Sequence, residues 1–75
     1  MKDLVEFMAR SLVDDPTAVR VDEEWHGDRV IFRLEVAESD KGKVIGKQGR
    51  IANAMRTLLK IAGTRDGARA SLDIE

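Results

Sequence analysis

The sequence predicts an α+β fold in which one three-stranded mixed sheet is covered on one face by three helices. Apolar residues recur at helical spacing in three segments and at every second position in three others, as amphipathic helices and half-buried strands require. In chain order these segments read helix, strand, strand, helix, helix, strand. Because helices separate the second strand from the third, those two strands should be parallel where they are adjacent, with a right-handed crossover.

The chain of 75 residues has room for one domain, which we assign to residues 1–75. It has no cysteine, so disulfides and thiolate metal sites are excluded. No apolar run is long enough to span a membrane, and the first residues lack the basic start of a signal peptide. These observations predict a soluble cytoplasmic protein that uses no metal or other cofactor and has no contact with a membrane.

The first half of the chain predicts a helix over residues 2–13 followed by a β-hairpin. The strands are expected to begin near Ala18 and Val30, and His26-Gly27-Asp28 supplies the turn between them. The apolar positions are Leu4, Val5, Met8 and Leu12 in the helix, Val19, Val21 and Trp25 in the first strand, and Val30, Phe32, Leu34 and Val36 in the second. Trp25 is expected at the end of the core.

The second half of the chain predicts a short helix, a long helix and a last strand over residues 70–74. Ser39 or Asp40 is expected to cap the short helix, and Gly46 is expected to stop it. The long helix has the most regular pattern in the chain, and Gly63 is expected to close it. Its predicted apolar stripe consists of Ile51, Ala54, Met55, Leu58, Leu59 and Ala62.

The stretch GKVIGKQGRI, residues 42–51, raises the possibility of a nucleotide-binding P-loop. That motif needs four residues between its glycines and a Ser or Thr after its lysine. Here Gly42 and Gly46 enclose only three residues, and Gln48 follows Lys47. Without the hydroxyl there is no magnesium ligand, and the shorter loop cannot form the same phosphate cradle, so this motif is excluded.

The charge is segregated along the chain although the net charge is only −1. Residues 1–40 carry five basic and eleven acidic side chains, whereas residues 41–60 carry six basic side chains and no acid. The six are Lys41, Lys43, Lys47, Arg50, Arg56 and Lys60. Such a segment indicates either a local anion site or a solvated basic helix face, and charge alone does not distinguish the two.

The turn between the two predicted helices favours the anion site. Gly46 and Gly49 leave the backbone open to close approach, since no Cβ covers it there. The helix that follows directs its first N–H groups and the positive end of its dipole at the turn, and Lys47 and Arg50 add full charges. A phosphate would be held at this turn, and the basic side chains along the segment suit a phosphodiester chain.

The order of elements around GKQG resembles the type II KH domain, whose GXXG loop clamps the backbone of about four nucleotides. Closest is the resemblance to the small bacterial single-KH-domain RNA-binding proteins of the KhpA (YlqC) type. It covers the opening helix ending in LVDDP, the hairpin, and the specific stretch DKGKVIGKQGRIANAMRTLLK. The resemblance assigns the clamp to Gly46, Lys47, Gln48 and Gly49, flanked by Lys43 and Arg50.

The resemblance also gives a role to the two isoleucines that bracket the loop. In KH domains such residues help to line an apolar groove on which bases lie. For Ile51 core packing is the preferred interpretation, whereas for Ile45 core packing and a groove contact are both open, and Ile45 is included in the predicted RNA-binding set. The aromatic residues Phe7, Trp25 and Phe32 are all far from the loop in sequence, so base preference should be modest.

These observations predict a non-catalytic RNA-binding protein that binds single-stranded segments of RNA. His26, the only histidine, is interpreted as a solvated turn residue, because no second catalytic or metal-binding group accompanies it. The resemblance further implies an RNA chaperone or post-transcriptional regulator linked to cell division and envelope growth, acting as a homodimer or with a larger KH-containing RNA-binding protein. The alternative is a KH-fold protein-interaction or assembly module that does not use its loop for nucleic acid.

Overall fold

A computed structural model describes all 75 residues and confirms the predicted order of elements and the α+β fold. The helices are α1 (Lys2–Leu12), α2 (Lys41–Ile45) and α3 (Arg50–Arg65), and the strands are β1 (Arg20–His26), β2 (Arg29–Glu35) and β3 (Arg69–Ile74). Single turns of 3₁₀-helix occupy Pro16–Ala18, Glu38–Asp40 and Lys47–Gly49. None of the helices combines the length and the apolar character needed to cross a membrane.

The sheet has the strand order β1-β2-β3. β1 and β2 are antiparallel and are joined by a two-residue turn, in which Gly27 has a φ of +63°; a positive φ at the first turn position is the geometry of a type II′ hairpin. β2 and β3 are parallel, with Phe32 opposite Leu72. This parallel pair, connected through α2 and α3, confirms the predicted parallel arrangement of the second and third strands.

The core lies between the sheet and the three helices. β2 contributes the fully buried Val30, Phe32 and Leu34, and the helices contribute Val5, Ala9, Val44, Met55 and Leu59. On the opposite face of the sheet, Arg33 on β2 is paired with Glu24 on β1. Trp25 was expected at the end of the core, but its side chain is 49% exposed and its indole N–H donates to Glu23.

Helix α3 extends beyond its predicted end, because Gly63 does not close it. Gly67, with a φ of +71°, closes it instead in a Schellman arrangement, in which the N–H of Ala68 donates to Gly63 O at 2.7 Å and that of Gly67 to Thr64 O at 3.2 Å. Gly63 is buried where the chain turns back, and a Cβ there would lie 2.7 Å from Ala68 O. This glycine therefore serves close packing rather than helix termination.

The buried face of α3 is rotated from the predicted stripe. Ala52, Met55, Leu59 and Gly63 are its buried residues. Leu58, at the centre of the predicted stripe, is 49% exposed, and Ala54 is also exposed. The apolar pattern thus includes a second, exposed side of the helix that periodicity alone could not separate from the core.

Candidate functional site

The loop between α2 and α3 has a backbone conformation that depends on its glycines. Gly46 has φ 76° and ψ 172°, a combination open essentially to glycine alone. Gln48 (φ 57°, ψ 25°) and Gly49 (φ 75°, ψ 13°) are both left-handed. Gly46 was expected to stop α2 and does so, although its extended ψ differs from the left-handed helix-end conformation that was expected. Three residues with positive φ fold the four-residue loop back tightly between the helices.

The side chain of Ile51 packs directly against the backbone of this loop. A Cβ on Gly46 would lie 2.6 Å from Ile51 Cγ1 and 2.9 Å from the Ile51 backbone N, so the loop backbone lies directly on the isoleucine. Ile51 is partly buried and packs against the core, as expected. Ile45, on the other side of the loop, is 40% exposed. Ile45 therefore gives the surface beside the loop an apolar character, and Ile51 packs against the backbone of the loop.

The charges around the loop are not neutralised within the chain. Lys47, Gln48 and Arg50 are exposed, and neither Lys47 nor Arg50 takes part in any of the ion pairs. The only side-chain contact among them is from Arg50 Nη2 to Gln48 Oε1, at 3.4 Å. No side chain caps the start of the 16-residue helix α3, so the positive end of its dipole faces the loop beside two cations. This arrangement can bind an anion.

Lys43 is also among the predicted site residues, but it lies away from the loop and forms ion pairs with two aspartates. Its ammonium pairs with Asp14 and lies 3.5 Å from Asp40 Oδ1. The structure thus brings Ile45 and the loop residues through Arg50 together, while Lys43 faces the opposite direction along α2, toward the end of α1. These ion pairs raise the pKa of Lys43, chiefly through the bond to Asp14.

Asp40 forms an anchor for α2 that sequence reasoning missed. It was expected as a helix cap, but no side chain caps α2. Its side chain is 1% exposed, and its two carboxylate oxygens accept hydrogen bonds from the backbone N–H groups of Asp14 (3.2 Å) and Asp15 (3.1 Å). These bonds tie the segment after α1 to the start of α2. We call Asp14, Asp15, Asp40 and Lys43 the aspartate anchor.

The protonation state of Asp40 follows from these contacts. Burial by itself raises the pKa of this carboxyl, but the hydrogen bonds from Asp15 and Asp14 and the positive charge of Lys43 outweigh burial, so the pKa lies below its ordinary value. Asp40 is therefore ionised in the folded protein at neutral pH. The only sequence signal for the anchor was a pair of aspartates before Pro16 and another aspartate ahead of the glycine stretch.

His26, the remaining candidate, lies on the sheet face away from the helices. Its Nε2 is 2.9 Å from Glu24 Oε1, and both side chains are exposed. Glu24 also pairs with Arg33 on the neighbouring strand. His26 thus belongs to a surface ion-pair cluster, which lies apart from the loop between α2 and α3.

Comparison with protein families finds a match over nearly the whole chain. The sequence model described as "KhpA/KhpB, KH domain" matches residues 2–74. The RNA-binding protein KhpA of Clostridium perfringens is 47% identical over 74 residues, which cover 99% of both chains. KhpA of Clostridium acetobutylicum is 49% identical with the same coverage, and KhpA of Aquifex aeolicus is 47% identical over 99% of this chain and 94% of its own.

Solved structures show the same fold at lower identity. Era in complex with MgGDPNP and nucleotides 1506–1542 of 16S ribosomal RNA matches with a TM-score of 0.53 and 20% identity, covering 97% of this chain and 28% of the Era chain. An Aquifex aeolicus Era variant bound to GDP·AlF4⁻ matches with a TM-score of 0.56, 19% identity and the same coverage. At these identities the likeness concerns the fold alone.

Proposed function

The chain belongs to the KhpA/KhpB family of KH domains, and on this basis we propose that it is a non-catalytic protein that binds single-stranded RNA segments through the loop Gly46–Gly49. Relatives that match over nearly their full length are named RNA-binding proteins. The observation that carries the proposal is the loop itself, since its glycine backbone is fixed, its helix end is uncapped, and Lys47 and Arg50 have no acidic partner.

In the proposed complex the phosphates lie against the loop and the bases lie beside it. Lys47, Gln48 and the start of α3 would hold the phosphodiester backbone, and Arg50 would add charge. Ile45, exposed next to the loop, would support a base by apolar contact. Because phosphate contacts carry no sequence information, selectivity would be modest. Lys43 would act through α2 by holding the aspartate anchor together.

The cellular role we propose is that of a cytoplasmic RNA chaperone or post-transcriptional regulator linked to cell division and envelope growth. This part rests on the resemblance to KhpA-type proteins and on no feature of the fold. Crosslinking in cells followed by sequencing of the bound RNA would test it. Recovery of no RNA above background would favour the alternative, a KH-fold assembly module.

We further propose that two copies of the chain pair through the exposed side of α3. Leu58 and Ile61 are 49% and 53% exposed there, and with Met1 and Leu4 they line a groove of about 330 Å³. A two-fold contact would bury this apolar patch, and a larger KH-containing protein could occupy the same surface. Sedimentation should show a dimer for the parent and a monomer for Ile61→Lys, with Ser71→Lys as the control; a dimeric Ile61→Lys variant would contradict the proposal.

The loop assignment is tested by replacing Lys47 and Gln48 together by aspartate. Both side chains face solvent, so the melting temperature should stay close to that of the parent. RNA affinity should fall by more than about tenfold, since two negative charges would face the phosphates. The matched control is Arg29→Asp with Ser71→Asp, which makes the same charge change on the sheet face away from the helices. Equal affinity of the loop variant and the parent would place the clamp elsewhere.

A further inference from the structure

Strand β1 lies at an edge of the sheet, and part of its hydrogen-bonding capacity is unused. The two-residue turn makes His26 and Arg29 a hydrogen-bonded pair. Because such pairs alternate along an antiparallel ladder, Glu24 directs its N–H and C=O toward β2, whereas Glu23 and Trp25 direct theirs away from it. No turn, loop or cap hydrogen bond of the backbone uses these four outward groups. They therefore form a template to which a further strand can pair.

The side chains along this free edge are acidic or aromatic. Asp22 and Glu23 are exposed, and neither takes part in any of the ion pairs. Trp25 is 49% exposed, and its indole N–H donates to Glu23. Since alternate residues of a strand share a face, Glu23 and Trp25 lie on one face, and Asp22 and Glu24 lie on the other. An added strand would thus have a carboxylate beside it on both of its faces.

This pattern disfavours a second copy of the chain as the occupant of the edge. Two β1 strands paired antiparallel about Glu24 or about Glu23 would place that carboxylate directly opposite its own copy. Like charges that face each other across two strands are destabilising. A charged residue such as Glu23, on the face of the sheet that carries the helices, is also a device by which edge strands avoid pairing with copies of themselves. The edge therefore selects against its own sequence and for a strand of opposite charge.

We propose that the free edge of β1, residues 22–25, binds an extended segment of a partner protein that contains consecutive arginine or lysine residues. The segment would add a fourth strand to the sheet, with main-chain hydrogen bonds to Glu23 and Trp25. Its cations on one face would meet Glu23 and the ring of Trp25, and those on the other face would meet Asp22. A run of like charges also keeps such a segment extended before it binds. The proposed site shares no residue with the loop Gly46–Gly49.

The first experiment uses the protein's own reporter, since Trp25 is the only tryptophan in the chain. Titration of the parent with a hexa-arginine peptide, blocked at both ends, should give a saturable change in tryptophan fluorescence. Amide hydrogen exchange should slow at Glu23 and Trp25 when the peptide is bound, because their outward N–H groups gain acceptors. Exchange at Asp22 and Glu24 should change less, since those N–H groups already face β2.

Two matched comparisons separate strand addition from general charge attraction. Hexa-arginine methylated at every backbone nitrogen has the same charge but no donors for the edge carbonyls, so it should bind roughly tenfold more weakly. Asp22→Lys/Glu23→Lys should weaken hexa-arginine binding by roughly tenfold or more. The control Asp66→Lys/Asp73→Lys makes the same charge change at exposed positions outside β1 and should bind nearly like the parent.

Three results would overturn the proposed edge site. One is a parent whose fluorescence and exchange do not respond to hexa-arginine. Another is equal affinity for the methylated and unmethylated peptides, which would reduce binding to charge without strand addition. The third is a control variant that loses as much affinity as Asp22→Lys/Glu23→Lys. The variant with aspartate at Lys47 and Gln48 should bind the peptide at least as well as the parent, so that failure of the edge site and failure of the RNA loop are distinguishable.

Discussion

Lys43 in helix α2 and Lys47 in the loop that follows it have identical chemistry but opposite surroundings. At the aspartate anchor, Lys43 is paired with two carboxylates, and Asp40 is buried with both oxygens hydrogen-bonded. At the loop, Lys47 has no acidic partner and the backbone stays open. In the sequence both lysines belong to one basic segment, but only Lys47 is free to bind a ligand.

The difference shows how the two regions divide their tasks. A helix of five residues is too short to be stable without tertiary contacts. The aspartate anchor fixes where α2 begins, Val44 buries its middle in the core, and the loop is thereby presented at its other end. The anchor should therefore be sensitive to changes in stability, and the loop to changes in backbone shape and ligand charge.

Removing the anchor carboxylate should have the largest effect on stability. Asp40→Ala would leave the N–H groups of Asp14 and Asp15 without their acceptors and Lys43 without one of its two partners. Loss of the buried carboxylate removes two backbone hydrogen bonds and an ion pair together, so the melting temperature should fall by roughly ten degrees or more. The matched control is Glu38→Ala, because Glu38 lies on the same turn with its side chain 88% exposed. Similar melting of both variants would show that the anchor contributes little.

The pH dependence of stability provides a second measure of the anchor. Because the pKa of Asp40 is lower in the folded protein than its ordinary value, its stabilising effect is present above the unfolded-state pKa of about 4 and is lost as pH falls through the folded-state pKa. The parent should lose stability in acid more steeply than Asp40→Ala, as measured by melting across pH 2 to about 6. Parallel curves would contradict the lowered pKa.

A smaller effect is expected from an added methyl group at the loop. Gly46→Ala places a Cβ 2.6 Å from Ile51 Cγ1 and 2.9 Å from its backbone N, in a conformation that alanine avoids. We expect a loss of about 2–4 kcal/mol in the free energy of unfolding, measured by urea denaturation. Gly49→Ala is the matched control, since its nearest contact is 3.9 Å away and only the left-handed φ opposes it, for about 1 kcal/mol. Equal losses would mean that the contact with Ile51 does not shape the loop.

The sequence predicted the order of elements because each rests on a local pattern. Alternation in Val30, Phe32 and Leu34 and the turn at Gly27 reflect burial and backbone geometry within a few residues. The family, and with it the KH fold and the expectation of RNA binding, came from the resemblance of the long stretch around GKQG. Without the resemblance, the glycines and charges of the turn predicted only a phosphate site that suits a phosphodiester chain.

The errors arose where a residue's role depends on a distant part of the chain. Glycine is common at helix ends, but Gly63 is needed because the carbonyl oxygen of Ala68 packs closely against it. Leu58 fits the apolar period of α3, yet neither the sheet nor α1 covers it. Asp40 is in place to cap α2, but N–H groups 25 and 26 residues earlier take its carboxylate. Spacing along the sequence contains no information about such pairings.

The contact between Gly46 and Ile51 has a consequence for the entropy of binding. Flexible loops lose conformational freedom when a ligand orders them, which offsets part of the interaction energy. Here three positive-φ residues and a partly buried isoleucine fix the loop before any ligand arrives. This preorganisation would remove one cost of binding, the ordering of the loop backbone, whereas the costs of immobilising the RNA and the exposed side chains of Lys47 and Arg50 would remain.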